Sequence, residues 1–183
     1  MRILSHLLLS LTLACALPAG AAQRCGELKQ HRIVSGTTPQ ASILYLAARK
    51  ADAGSWPSGF WDEHFTYLGT TQSVSGEAFR IASLSTTWGS ACRLTERLLV
   101  FSANNVYLGR YSHISLSEMK IRPPYELVFP YAAKEGNVVS FKLGLLRSIW
   151  IGGENYELEA NNSFKPNPLR SSKTPSGFSG GSA

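Results

Sequence analysis

The alternation of apolar and polar positions is clearest between Cys92 and Ile114, CRLTERLLVFSANNVYLGRYSHI. Two runs of period two flank Asn104-Asn105, and Asn tolerates the positive φ that a two-residue type I′ turn wants at both centres. The pattern predicts a hairpin in which Ala103 faces Val106, Phe101 pairs with Leu108, Leu99 with Arg110 and Leu98 with Tyr111. Alternation places Leu94, Leu98, Val100, Tyr107 and Tyr111 on one face, and Leu99, Phe101, Val106, Leu108 and Ile114, with Arg97 and Arg110, on the other. Two apolar faces suit a strand pair inside a sandwich or barrel, with the arginines near sheet ends or at a surface opening.

A second hairpin is expected from Ile149 to Glu159, turning at Gly153-Glu154 with glycine at the first centre, as type II′ requires. That register pairs Ile151 with Tyr156 and Ile149 with Leu158, and sends Trp150 and Glu157 to the opposite face. Further strands are predicted at Phe65 to Thr70, Ala78 to Ser85, Tyr125 to Phe129 and Val138 to Leu143. Thr86 to Ala91, with Trp88 inside it, reads as a Gly/Ser connection, and Pro123-Pro124 interrupts the ladder pattern. One helix is predicted, capped by Thr38, with Pro39 at its first position, a stripe of Leu44, Ala47, Ala48 and Ala51, and Gly54 to stop it. The rival reading of that stretch is a strand from Ile43 to Leu46. The fold class is therefore mainly β: an antiparallel sandwich or barrel of about six to eight strands built from hairpins, with one helix near the mature N-terminus.

The ends of the chain add a compartment. Arg2, an apolar run from Leu7 to Leu17, Pro18 and then Ala19-Gly20-Ala21-Ala22 have the order of a secretory signal peptide, with cleavage expected after Ala22. The run falls short of the ~20 residues a membrane span needs, and no other stretch is long and apolar enough. Residues 1–22 are thus read as a signal peptide, 23–160 as a single β-rich domain, and 161–183, where Asn, Ser, Pro and Gly dominate, as a disordered tail. The expected location is exported, periplasmic or secreted. Cys15 leaves with the signal, so Cys25 and Cys92 form an even pair in an oxidising compartment, most simply one disulfide. Closing a loop of that length contributes roughly 4 kcal/mol on the chain-entropy estimate.

Charge narrows the partners. The formal net charge is +6, but between Gln23 and Ala160 fourteen basic residues face twelve acidic ones, a net of +2. Scattered single Lys and Arg do not make the clustered groove that tracks phosphates, so nucleic acid is not an expected partner; another protein is.

Candidate chemistry is sparse. Glu96 lies opposite His113 in the first hairpin, the one acid–histidine pair the register supplies, and a carboxylate beside imidazole can poise a general acid or base. The bland alternative is a cross-strand polar pair. Gly177-Phe178-Ser179-Gly180-Gly181 matches G-x-S-x-G but lies in the tail, away from the strand–turn–helix context the motif needs. His31 and His64 have no patterned partners, no Cys/His spacing fits a zinc site, and no phosphate or dinucleotide fingerprint is present. No cofactor and no metal are expected. In SWPSGFWDE, Ser55 to Glu63, the aromatics Trp56, Phe60 and Trp61 are candidate binding anchors on a loop, or a lid folded back on the core.

Two resemblances bear on function. The central hairpin and IWIGGENYELEA resemble segments of small exported bacterial proteins of unassigned activity, over roughly Trp88 to Glu159. The last hairpin, with Gly152-Gly153 and Tyr156, is faintly similar to the end of the bacterial C-type lysozyme inhibitors, small exported β-barrels; no site residue is carried over. The expectation is an exported non-catalytic binding protein, such as an inhibitor or immunity protein acting on an envelope toxin or hydrolase. A small envelope hydrolase with a site assembled only in the fold, or a structural envelope protein, is the alternative.

Overall fold

The computed structural model describes residues 31–36, 39–52, 56, 60–116, 119–129 and 138–161. The expected signal peptide, Cys25, Thr38, Gly54 and residues 162–183 of the expected tail lie outside the described residues. In chain order the elements are β1 (His31–Ser35), α1 (Gln40–Ala51), β2 (Phe60–Gln72), β3 (Ala78–Trp88), β4 (Arg93–Ser102), β5 (Tyr107–Ser112), β6 (Lys120–Arg122), β7 (Glu126–Val128), β8 (Val138–Ser140), β9 (Ser148–Ile151), β10 (Glu154–Glu157) and β11 (Glu159–Ala160). The protein is mainly β with one helix, and most strand pairs are antiparallel.

A six-stranded sheet in the order β1-β2-β3-β4-β5-β11 forms the frame, with a three-stranded sheet β6-β7-β8 and the hairpin β9-β10 beside it. Strand alternation gives the large sheet two apolar faces. One, with Ala82, Leu84, Leu99, Phe101 and Tyr107, packs against Ala41, Leu44, Tyr45 and Ala48 of α1. The other, with Phe79, Ile81, Leu98, Val100, Leu108 and Tyr111, packs against Leu127, Phe129, Val139, Phe141, Ile149 and Ile151 of the smaller sheets. Tyr111 is fully buried there, and its hydroxyl donates to the Leu146 carbonyl at 2.5 Å. Burial alone pushes its phenol well above the ordinary value.

The central hairpin forms, with a different turn. Ser102 N–H donates to Val106 O at 2.9 Å and Asn105 N–H to Ser102 O at 3.0 Å, so Ala103-Asn104-Asn105 is a three-residue loop in which Asn105 carries positive φ, at 64°, and Asn104 does not. The extra loop residue pairs Phe101 with Tyr107 in place of Leu108. A bulge before Val100–Gly109 then restores the expected register at Leu99–Arg110 and Leu98–Tyr111. The correction exchanges two side chains: Tyr107 joins Phe101 under the helix and Leu108 joins Val100 on the far side; separately, Ile114, after the positive φ of His113, also packs on the far side. Arg97 and Arg110 lie far inside the expected sheet-end position, 7% and 9% exposed. The loop is tied down through Asn105 Oδ1, which accepts from Gln40 Nε2 at 2.6 Å and Arg80 Nη1 at 2.5 Å.

The last hairpin turns at Gly152-Gly153, both at positive φ (61° and 91°), and pairs Ile151 with Glu154 and Ile149 with Tyr156. This corrects the expected register by two residues along β10. Two successive glycines accept the type I′ geometry without strain, and an even shift leaves every side chain on its expected face. Ile149 and Ile151 are accordingly buried and Trp150 exposed.

Three other expectations change. β1 pairs with β2 in parallel, Arg32 opposite Glu63 and Val34 opposite Phe65, where only antiparallel hairpins were predicted. The helix has Pro39 at its cap position, and its buried stripe is Ala41, Leu44, Tyr45 and Ala48, with Ala51 exposed. Phe60 and Trp61 belong to β2, and Trp88 ends β3, so stretches read as connections are strand.

Gly109 lets the sixth strand dock. A Cβ there would meet Glu159 O at 2.6 Å, and φ is 152°, a conformation side chains rarely adopt. Gly109→Ala should cost about 1–3 kcal/mol. Urea unfolding would read the loss, and hydrogen exchange should place it at the Asn161 amide, which donates to Leu108 O at 3.0 Å.

Candidate functional site

At one end of the helix-covered face, arginines lie over aromatic rings. Arg32 sits 5.4 Å from the ring centre of Tyr45, Arg49 4.7 Å from Trp56 and Arg93 5.6 Å from Trp88. The fold explains each stack. Arg49 comes from the last turn of α1. Arg32 is carried on edge strand β1 beside Glu63. Arg93 is opposite Trp88 where β3 passes into β4, the chain reversing at Gly89 and Cys92, which take φ of 70° and 52°.

Beneath the arginines the aromatics form a connected layer. Tyr45 meets Trp56 edge-on at 5.9 Å and Phe65 at 5.5 Å. The Tyr45 hydroxyl donates to Glu63 Oε1 at 2.6 Å, and Arg32 Nε donates to the same oxygen at 2.9 Å. Burial, with Glu63 as acceptor and charge, pushes the Tyr45 phenol up to about 12. Trp88 is anchored by its indole N–H, which donates to Thr95 Oγ1 at 2.8 Å.

A second polar group lies where the end of α1 meets β5 and β11. Arg110 donates through Nε and Nη2 to Glu159 Oε2, at 3.0 and 2.6 Å, and through Nη1 to Asp52 Oδ2. The register places Glu159 opposite Arg110, and Asp52 is the helix C-cap. An acid at the negative end of a helix is unfavourable by itself, and Arg110 offsets it. Burial opposes the charge of Arg110, but Glu159 and Asp52 hold its pKa above the ordinary value. Arg97 moves the other way, lowered by burial and by Arg110. Burial also raises the Tyr107 phenol, and Asp52 adds to that effect. An open pocket of about 190 Å³ lies over the group, lined by Ala51, Asp52, Tyr107, Arg110, Glu159, Ala160 and Asn161. Its guanidinium is already neutralised from two sides, so the group works as a clamp.

The other face of the sheet carries a polar row. His64 is opposite Ser85 and Ser85 opposite Glu96. His64 Nε2 and Asp62 Oδ2 are 2.8 Å apart. Acid, imidazole and hydroxyl in that order invite a comparison with a nucleophile activated by a base. Acyl transfer also needs N–H donors aimed at the developing oxyanion, and β3 is paired on both sides along this stretch, its backbone committed to the ladders.

Of the residues singled out by sequence, Glu96 and His113 do come together, through backbone: His113 N–H donates to Glu96 O at 2.9 Å, with φ of 64° at His113. They line a shallow pocket with Leu94, Ile114 and Ser115. Trp56 is 6% exposed and belongs to the core, so it is no exposed anchor. Phe60 and Trp61 stand in β2, Phe60 opposite Trp88. Cys92 is in the exposed β3–β4 turn. Sequence reading missed Arg32, Arg49, Arg93, Tyr45 and Trp88. Of these, the Trp88–Arg93 pair was within reach, since Gly89 and Ser90 already mark a tight reversal between them. Among the described residues no cluster of three or more His, Cys, Asp or Glu is placed to hold a metal, and no helix is long and apolar enough to cross a membrane. The chain matches no protein-family model, no characterised protein and no solved structure.

The clamp predicts a pH dependence. Burial raises the pKa of Glu159, but hydrogen bonds from Arg110 and Ser112 and the charges of Arg110 and Arg97 outweigh it and hold the carboxyl below 4.5. Its contribution to stability is therefore complete above the unfolded-state value and is lost as pH falls through the lower folded-state value. Glu159→Gln should lower stability at neutral pH and flatten the acid limb of a urea-midpoint profile. An acid limb identical to the parent's would contradict the assignment.

Proposed function

We propose that the protein is exported and acts as a non-catalytic binding protein, an inhibitor or immunity protein for an envelope toxin or hydrolase. The observation that carries this reading is the set of arginine–aromatic stacks at one end of the helix face. Trp, Tyr and Arg are the residue types in which binding energy concentrates, because each offers a large, stiff contact surface with a polar tip. Here Tyr45 and Trp56 are locked into the core, Trp88 is half-buried and fixed through its indole N–H, and the guanidinium groups lie over the rings, so little side-chain freedom remains to be lost on association. The two polar constellations elsewhere are poor catalysts by comparison: one is internally neutralised, and the β3 backbone beside the other is committed to its ladders.

Capture tests the reading. The full chain, expressed with its own N-terminal segment and immobilised after export, should retain one envelope protein in stoichiometric amount. Arg49→Ala with Arg93→Ala should release that partner while leaving the melting temperature within a few degrees. Hydrolytic turnover by the purified protein, abolished by Ser85→Ala or His64→Ala, would point to an enzyme instead.

Export and a Cys25–Cys92 disulfide belong to the same proposal. The leader-like order of residues 1–22 supports export, and the exposed position of Cys92 at a sheet-end turn leaves it accessible to the N-terminal segment. Mass spectrometry after alkylation should find neither cysteine labelled before reduction and both labelled after it. Labelling without reduction would exclude the bridge.

A further inference from the structure

We infer that the partner presents a carboxylate-rich protein surface to Arg49 and Arg93. This rests on the binding-protein reading and adds the chemistry of the other side. Among the described residues, the ring-stacked guanidinium groups of Arg49 and Arg93 share this end of the helix face with the Glu63 carboxylate, which is 1% exposed and already bonded to Arg32 and Tyr45. Among the described residues Arg49 and Arg93 make no ion pair. The other acids nearby are committed or face away: Asp52 and Glu159 are held by Arg110, while Asp62 and Glu96 fall on the opposite face by strand alternation.

A guanidinium lying on a ring is held in one orientation, and its fork of N–H donors matches the two oxygens of a carboxylate. Spacing agrees with a protein partner. Arg32 on β1 and Arg93 on β4 are three strand intervals apart, about 14 Å. A standard interface of about 800 Å² per partner is roughly 30 Å across and covers all three stacks.

The same facts argue against a nucleic acid. Single strands bind by stacking bases on open aromatic faces above a basic track. The Tyr45 and Trp56 rings are buried and capped by arginines, and Trp88 is half-buried, capped by Arg93 and fixed through its indole N–H. What remains accessible is the cation.

Hexaglutamate peptide is the probe, titrated into the full chain at low ionic strength while tryptophan emission is followed. Saturable binding is expected. It should weaken about tenfold or more in Arg49→Ala with Arg93→Ala, on the scale of one charge-assisted hydrogen bond. It should weaken less in the Arg49→Lys with Arg93→Lys protein, which keeps charge and loses the fork. Absence of saturable binding, or equal binding by the alanine variant, overturns the inference. So does tighter binding of a heparin hexasaccharide or a short oligothymidylate than of hexaglutamate. A captured partner that hexaglutamate does not displace would also overturn it, yet leave the binding-protein reading standing. Failure to capture any partner would count against that reading alone.

Discussion

The rest of the structure depends on the clamp around Arg110. A single guanidinium donates to Asp52 at the end of α1 and to Glu159 of β11, and so joins three segments distant in sequence at one point of the sheet. Without Asp52 the C-terminal end of the helix would lose its tie to β5, leaving Gln40 and Tyr45 as its polar contacts with the sheet. Without Glu159 the sixth strand, two residues long, would have little beyond its ladder bonds. Taking charges out of water costs several kcal/mol per ion, so a buried pair is weak evidence of net stability. Its value here is in specification: the arginine fits one helix position and one strand register.

That fixed helix position is what sets up the arginine–aromatic layer. Tyr45 and Arg49 are four residues apart and share one side of α1, so a helix held at its Asp52 end places both over the same end of the sheet. Tyr45 then reaches Glu63 and Arg49 covers Trp56. A rotated helix would leave the buried Glu63 carboxylate without its phenol donor, a loss of the kind that costs about 1–3 kcal/mol or more. Buried polar contacts thus act as locating pins for an exposed surface.

Much of the fold was legible in the residues, and the failures have physical causes. Period-two alternation identified both hairpins and the mainly β class, because one buried face punishes an odd slip and tolerates an even one; the β9–β10 register was wrong by two residues and right in every facing. At Asn104-Asn105 the expectation treated both residues as left-handed, but Asn104 has ordinary φ and the third loop residue was hidden in Ala103. The compensating bulge in β5 has no local signal beyond Gly109, whose necessity comes from β11, some fifty positions away. The clamp and the arginine stacks were illegible for the same reason. Each joins residues from elements whose adjacency is decided by sheet order, as in Arg110 with Asp52 and Glu159, or Arg32 with Tyr45.

Charge was misread by averaging along the chain. A near-balance of acids and bases between Gln23 and Ala160 suggested scattered, solvated singles. A strand, however, sorts its charges by parity. In β4, Arg93 and Arg97 face the helix side while Glu96, between them in sequence, faces away; in β2, Glu63 lies under Arg32 and its neighbours Asp62 and His64 point to the other face. Residues adjacent in sequence are thereby separated by the thickness of a sheet, and a nearly neutral sequence becomes a sheet end with a cationic side and an acidic side. Screening lengths of ~8 Å at physiological salt are shorter than the distances over which these groups are spread, so the local field at each face follows its own sign and not the net charge of the chain. The aromatic rings sharpen the difference, because they hold the arginines outward on one side and nothing comparable orders the acids on the other.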